Sequence, residues 1–297
     1  MIRIPSNSTG YFVSVLLLGA LCIPALWAIT ITVSPADATP RAPVTVRDRN
    51  RPTPISILLI GDSLSFGPFG KQLENRLRKR LGDSEMALYA SCGSSPENWL
   101  ATTPVFVTKC GFRESLPGEP PKLVDAYNGK PCPPCKTPKI PSILKRWAPS
   151  IIIVQQGTNW MDNMPDPVGS DGYKSRQIVR KFISELRAGD PSRQIIWILP
   201  PDSSKYPIST KQAVDTWIEQ ALRESGCPSP IRSRNLTAPY RKGITGSDGV
   251  HYAKEAAESW ANKVYVRLLN LLLPETPGLP LPRALLSPEP STNPLPR

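Results

Sequence analysis

His251 is the single histidine among 297 residues, so acid–base chemistry at neutral pH has one obvious carrier. Asp248 stands three positions before it, in Asp248-Gly249-Val250-His251. In a turn, a carboxylate at that spacing reaches back to the imidazole N–H and holds its tautomer. A serine hydroxyl is too weakly acidic to attack an ester unaided and needs such a base. Ser63, in Gly61-Asp62-Ser63-Leu64, directly follows an apolar run and is the candidate nucleophile. The blander alternatives are a helix N-cap or turn role for Ser63, and for Asp62 a carboxylate bonded to nearby backbone donors. Charge that builds on a carbonyl oxygen also needs waiting donors. Asn159, in Gly157-Thr158-Asn159, offers a side-chain amide, and Gly93, in Ser91-Cys92-Gly93, offers a backbone N–H with no side chain in the way. Both residues would equally suit a plain turn.

These residues must be carried by elements that end at one place. Ile55 to Ile60 is apolar at every position but Ser56, which suits a central strand covered on both faces. Phe69, Leu73, Leu77 and Leu81 then recur every four residues before Gly82, the pattern of an amphipathic helix with a glycine stop. Further strands are expected at 86–90, 151–154 and 195–199, and a weaker fifth within 231–237. Helices are expected around 142–147, 178–186 and 253–272. Another begins at Ser209, where Gln212 three residues on completes a capping-box pattern. Alternating strands and helices imply a three-layer α/β fold, with a parallel five-stranded, flavodoxin-like sheet covered by helices on both faces. Ligands of such folds bind at the carboxyl ends of the strands, where Ser63, Gly93 and Asn159 fall. Residues 94–141 hold ten prolines and no clear period. They read as a long functional loop or lid.

The ends differ from the middle. Residues 11–33 carry no charge over 23 positions, enough to cross a bilayer as a helix. We read 1–33 as an uncleaved anchor or signal segment, 34–53 as a Pro-rich linker, 54–272 as the folded domain and 273–297 as a Pro-rich disordered tail. Arg41, Arg47, Arg49 and Arg51 follow the apolar segment, while Arg3 alone precedes it, which by the positive-inside rule favours a cytoplasmic domain. The signal-like layout and the loop cysteines favour export, and the expectation is a domain outside the cytoplasm. The net charge of +12 comes from scattered basic residues with no nucleic-acid motif, so no nucleic-acid partner is expected. Cys92, Cys110, Cys132 and Cys135 suit disulfides stapling the long segment. A zinc set from the same four lacks the usual second close pair. Nothing in the pattern fixes an oligomeric state.

Taken together, Gly61-Asp62-Ser63-Leu64, Ser91-Cys92-Gly93, Gly157-Thr158-Asn159 and Asp248-Gly249-Val250-His251 resemble, in order, the four blocks of the SGNH, or GDSL, hydrolase family. The resemblance covers about residues 54–272. It implies Ser63 as nucleophile, His251 as base and Asp248 as orienting acid. It implies an oxyanion hole from the Ser63 and Gly93 N–H groups with the Asn159 amide, and neither metal nor organic cofactor. Trp160 and Tyr252 stand where the family often has Asp and Pro; Trp160 is expected to shape the substrate pocket. The implied activity is cleavage or transfer of an acyl ester carried by a small molecule or a polysaccharide, with an envelope carbohydrate acetylesterase favoured. A lipase or thioesterase on longer chains, and a non-hydrolytic acyl-transfer or polymer-binding domain, are the alternatives. The family pattern does not explain the segment 94–141.

Overall fold

The computed structural model describes residues 55–108, 110–125 and 135–272. The apolar segment 11–33, the linker, Cys132 and the tail lie outside the described residues. Among the described residues no helix is long and apolar enough to cross a membrane.

Four parallel strands form the heart of the sheet: β1 (Ile57–Gly61), β2 (Met86–Ser91), β5 (Ile151–Gln155) and β6 (Gln194–Ile198), ordered β2-β1-β5-β6. Every residue of β1, β2 and β5 is buried, as runs apolar on both faces demand. Side chains alternate between the two faces. Leu58, Ile60, Tyr89 and Val154 point to one layer, made by α3 (Ile140–Arg146), α4 (Tyr173–Leu186) and α5 (Ile208–Glu224). Ile57, Leu59, Leu88 and Ile153 point to the other, made by α2 (Pro68–Leu81) and α6 (Lys254–Leu272). Phe69 of α2 stacks on Trp260 of α6 with ring centroids 3.6 Å apart, which locks those two helices together.

The sheet has six strands, not five, and they are not all parallel. The segment expected to be a loop supplies β3 (Gly111–Ser115) and β4 (Lys122–Asp125), which add antiparallel to β2. The fifth strand expected within 231–237 is a single bridge from Ile231 to Ile198, followed by a 3-10 turn at Ser233–Asn235. Once Ile231 has paired with β6, Ser233–Asn235 turns helically and ends the pairing. The capping box expected at Ser209 is also absent. α5 starts a residue earlier, with Pro207 at its cap and no side-chain cap bond, so Ser209 lies inside the helix.

β1 leads into α1 (Ser63–Phe66), a single turn that Gly67 separates from α2, whose first residue is Pro68. Proline at the first position of α2 has no N–H to leave unsatisfied. The glycine that ends β1 is required by crowding. A Cβ on Gly61 would run into the Ser65 hydroxyl, which itself donates to Gln155 Oε1 of β5 at 2.9 Å. Gly61→Ala is therefore expected to cost about 1–3 kcal/mol through forced repacking beneath the turn. Urea unfolding checks this; a variant as stable as the parent would show that the turn has slack.

Candidate active site

Ser63 opens α1, and Asp62 caps it. Asp62 Oδ1 accepts from the Leu64 N–H at 2.9 Å, which turns the chain sharply at the end of β1. The turn leaves the Ser63 hydroxyl at the strand end, 8% exposed as a residue. His251 Nε2 lies 2.8 Å from Ser63 Oγ, and His251 Nδ1 lies 2.5 Å from Asp248 Oδ2. Asp248 Oδ1 accepts from the backbone N–H of Val250 and His251, at 2.9 and 2.8 Å. One carboxylate thus organises its own turn and orients the ring. Burial works to raise the Asp248 pKa. The hydrogen bonds from the His251 ring and the two N–H groups, with the charge of His251, overcome it and hold the carboxyl down at about 2.

Tyr240 and Ser203 brace this turn, and no spacing in the sequence marks either. The Tyr240 hydroxyl accepts from Gly249 N–H at 3.0 Å and donates to the His251 carbonyl at 3.1 Å. The Ser203 hydroxyl donates to the Gly249 carbonyl at 2.5 Å. Gly249 has φ +91°, a conformation that favours glycine.

The residues expected to meet a developing oxyanion approach from the ends of β2 and β5. Gly93 sits at φ 81°, and its N–H, like that of Ser63, donates to no acceptor among the described residues. Asn159 opens no gap between the two loops: its Nδ2 donates to the Ser94 carbonyl at 2.8 Å, beside Gly93. An amide nitrogen has a second N–H, which that bond leaves unspent. The structure brings Ser63, Asp248 and His251 into one hydrogen-bonded chain and ties the Asn159 side chain to the Gly93 turn.

Trp160 is a correction. It is fully buried and packs in the core, and its indole donates to Glu97 Oε2 at 2.8 Å. The 3-10 turn Thr158–Met161 rotates it inward, where a large apolar ring with one satisfied N–H is most stable. It is not part of the pocket wall. The cavity lined by both Ser63 and His251 is walled instead by Leu64, Pro68, Tyr252 and Trp260, among others, and has a volume of about 20 Å³. A second cleft that His251 borders, with Gly243, Ile244, Ser247 and Tyr252, is larger, at about 320 Å³.

Beneath the nucleophile lies a buried polar cluster. Asp62 Oδ2, Thr158 Oγ1 and Gln155 Nε2 have no hydrogen-bond partner of normal geometry among the described residues, although Thr158 and Gln155 adjoin the Asp62 carboxyl. Burial pushes that carboxyl up to about 6, against the pull of the Leu64 N–H, Thr158, the charge of His251 and Gln155. A carboxyl raised on folding favours the protonated folded state. Folding is therefore helped below the unfolded pKa, about 3.9, and loses that help as pH rises through about 6. Asp62→Asn keeps an oxygen for the Leu64 N–H and cannot ionise. Its stability relative to the parent should rise across that window by on the order of 2–3 kcal/mol. Urea unfolding at both ends of the window measures it; parallel pH profiles for the two proteins would refute it.

No family model matches the chain, and no curated protein matches it. Solved structures similar to it include a peptidoglycan O-acetylesterase, at 12% identity and TM-score 0.48, covering 73% of this chain and 91% of that one. TesA is similar at 16% identity and TM-score 0.48, over 73% and 99% of the two chains. Est24, a carbohydrate acetylesterase from Sinorhizobium meliloti, is similar at 13% identity and TM-score 0.48, over 73% and 99%.

Proposed function

We propose that the chain is a serine ester hydrolase that removes short acyl groups, acetyl above all, from a carbohydrate of the cell envelope. The observation that carries the reaction class is the unbroken chain Asp248 Oδ2···Nδ1 His251 Nε2···Oγ Ser63, at 2.5 and 2.8 Å. In this reading Ser63 Oγ attacks the ester carbonyl as its proton passes to His251 Nε2. Asp248, held ionised, fixes the ring with Nδ1–H toward itself and stabilises the imidazolium. The N–H groups of Ser63 and Gly93 and the second Asn159 amide hydrogen receive the oxyanion. His251 then returns the proton to the departing alkoxide, and a water activated by the same ring releases the acid.

The size of the cavity beside Ser63 and His251 supports a short acyl group. About 20 Å³ holds one water-sized group, which accords with a short acyl group. The broader cleft that His251 borders has room for the alcohol that leaves. The disulfide between Cys92 and Cys110 supports a location outside the cytoplasm, with residues 11–33 as the anchor.

Fluorophosphonate should label the protein and fail on Ser63→Ala; equal labelling of the two would remove Ser63 from the nucleophile role. Asn159→Ala should lower kcat by about a hundredfold or more, the loss of one oxyanion donor, and an unchanged kcat would take the amide out of the hole. Among p-nitrophenyl esters the acetate should be turned over in clear preference to the octanoate. The reverse order would replace the acetylesterase reading with a lipase or thioesterase.

A further inference from the structure

The one glycine proposed as an oxyanion donor is gripped from behind by the segment the family pattern leaves unexplained. Cys92, which precedes Gly93, is buried, and among the described residues its disulfide and the hydrogen bonds of its backbone go to Thr108, Cys110 and Gly111. Its sulfur is joined to Cys110. Its N–H donates to the Gly111 carbonyl at 2.9 Å. Its carbonyl oxygen lies 2.9 Å from the Thr108 hydroxyl, which also lies 2.5 Å from the Gly111 carbonyl, so that one hydroxyl hydrogen serves both. Thr108 is 5% exposed and is itself held, its N–H donating to the Cys135 carbonyl at 2.9 Å, with Cys135 in a disulfide of its own.

The Cys92 carbonyl and the Gly93 N–H belong to one planar peptide, and they point in opposite directions. Whatever fixes the carbonyl aims the N–H. Gly93 needs this more than most residues would, because a glycine at φ 81° can turn its peptide at little cost. An oxyanion donor contributes only when it already points at the place where the charge develops. We propose that Thr108, backed by the Cys92–Cys110 disulfide, is a positioning residue for the reaction: its hydroxyl holds the Cys92 carbonyl and thereby aims the Gly93 N–H into the oxyanion hole. The proposal rests on the hydrolase reading above and gives residues 94–141 a task in it. Within it, Thr108, Cys110 and Gly111 stiffen the oxyanion turn.

The test measures kcat and KM separately on p-nitrophenyl acetate with the full chain. Thr108→Val keeps the shape and removes the hydroxyl; it should lower kcat by about ten- to a hundredfold, short of deleting a donor outright, with KM changed by less than about twofold. Thr108→Ser restores the hydroxyl and should recover most of kcat. Dithiothreitol, oxidised to its cyclic disulfide as Cys92 and Cys110 become thiols, should lower kcat in the parent, and reoxidation should restore it. This arm stands even if Thr108→Val does not fold. A folded Thr108→Val with parental kcat overturns the proposal. So does a kcat loss that only follows the fraction unfolded and that Thr108→Ser fails to recover, since that is the behaviour of a structural staple. If Ser63→Ala keeps parental activity, the hydrolase reading itself has failed. If Ser63 is essential and the Thr108 variants and reduction leave kcat alone, only the positioning role has failed.

Discussion

The site depends on three parallel strands pairing in register. Gly61 of β1 lies opposite Ala90 of β2 on one side and Gln155 of β5 on the other. Ser63, Gly93 and Asn159 follow these positions by two, three and four residues, so three loops leave the sheet along one line. A slip of one residue in either pairing would turn every buried side chain of that strand to the wrong face. The apolar layers on both faces therefore hold the register, and the register places the candidate nucleophile and oxyanion donors. Core packing and site geometry are one constraint here.

The candidate base arrives by another route. His251 belongs to no strand and reaches Ser63 from a turn before α6. Its height is set by α6 lying against α2 through Phe69 and Trp260, and α2 itself follows the nucleophile turn within two residues. The local Asp248–His251 bonding sets the ring's rotation, while Tyr240 and Ser203 hold the turn on the body of the protein. A second tie runs from Asp162, just beyond Asn159, to Lys205, whose N–H donates to Gly249. That tie is a partly exposed ion pair, worth little in water. The buried hydroxyls carry more of the positioning.

The parts legible in the sequence are those fixed by local pattern: the four largely apolar strands, the amphipathic helices, and a histidine with a carboxylate three residues before it. The parts that were not legible depend on partners far along the chain. β3 reads Gly111-Phe-Arg-Glu-Ser, and nothing in it alternates. It is a strand because Arg113 finds Glu74 of α2 and Glu114 finds Arg146 of α3, which makes burial of charged residues tolerable beside β2. Trp160 misled for the same reason. Its place after Asn159 suggests the pocket, but the indole has a half-buried acceptor in Glu97, 63 residues away, and an apolar core to fill. Ile231 shows the limit of a weak apolar pattern: one bridge to β6 forms, and the next turn is helical.

The polar cluster under Ser63 shows what the arrangement costs. Asp62 must face inward to cap α1, because its Oδ1 is what bends the chain at Leu64. That fixes the second oxygen in the protein, against Thr158 and Gln155, where burial disfavours its charge. An apolar residue at position 62 would remove the penalty and lose the bend, so the hydroxyl would no longer stand at the strand end. Gly61 follows from the same demand, since only a residue without Cβ leaves room for Ser65 to bond β5 beneath the turn. Unsatisfied polar atoms are rare in packed interiors. Three of them meet where the first strand must stop, reverse and present one hydroxyl to one imidazole. The sharpness of that turn explains why Gly61, Asp62 and Ser63 occur as a unit.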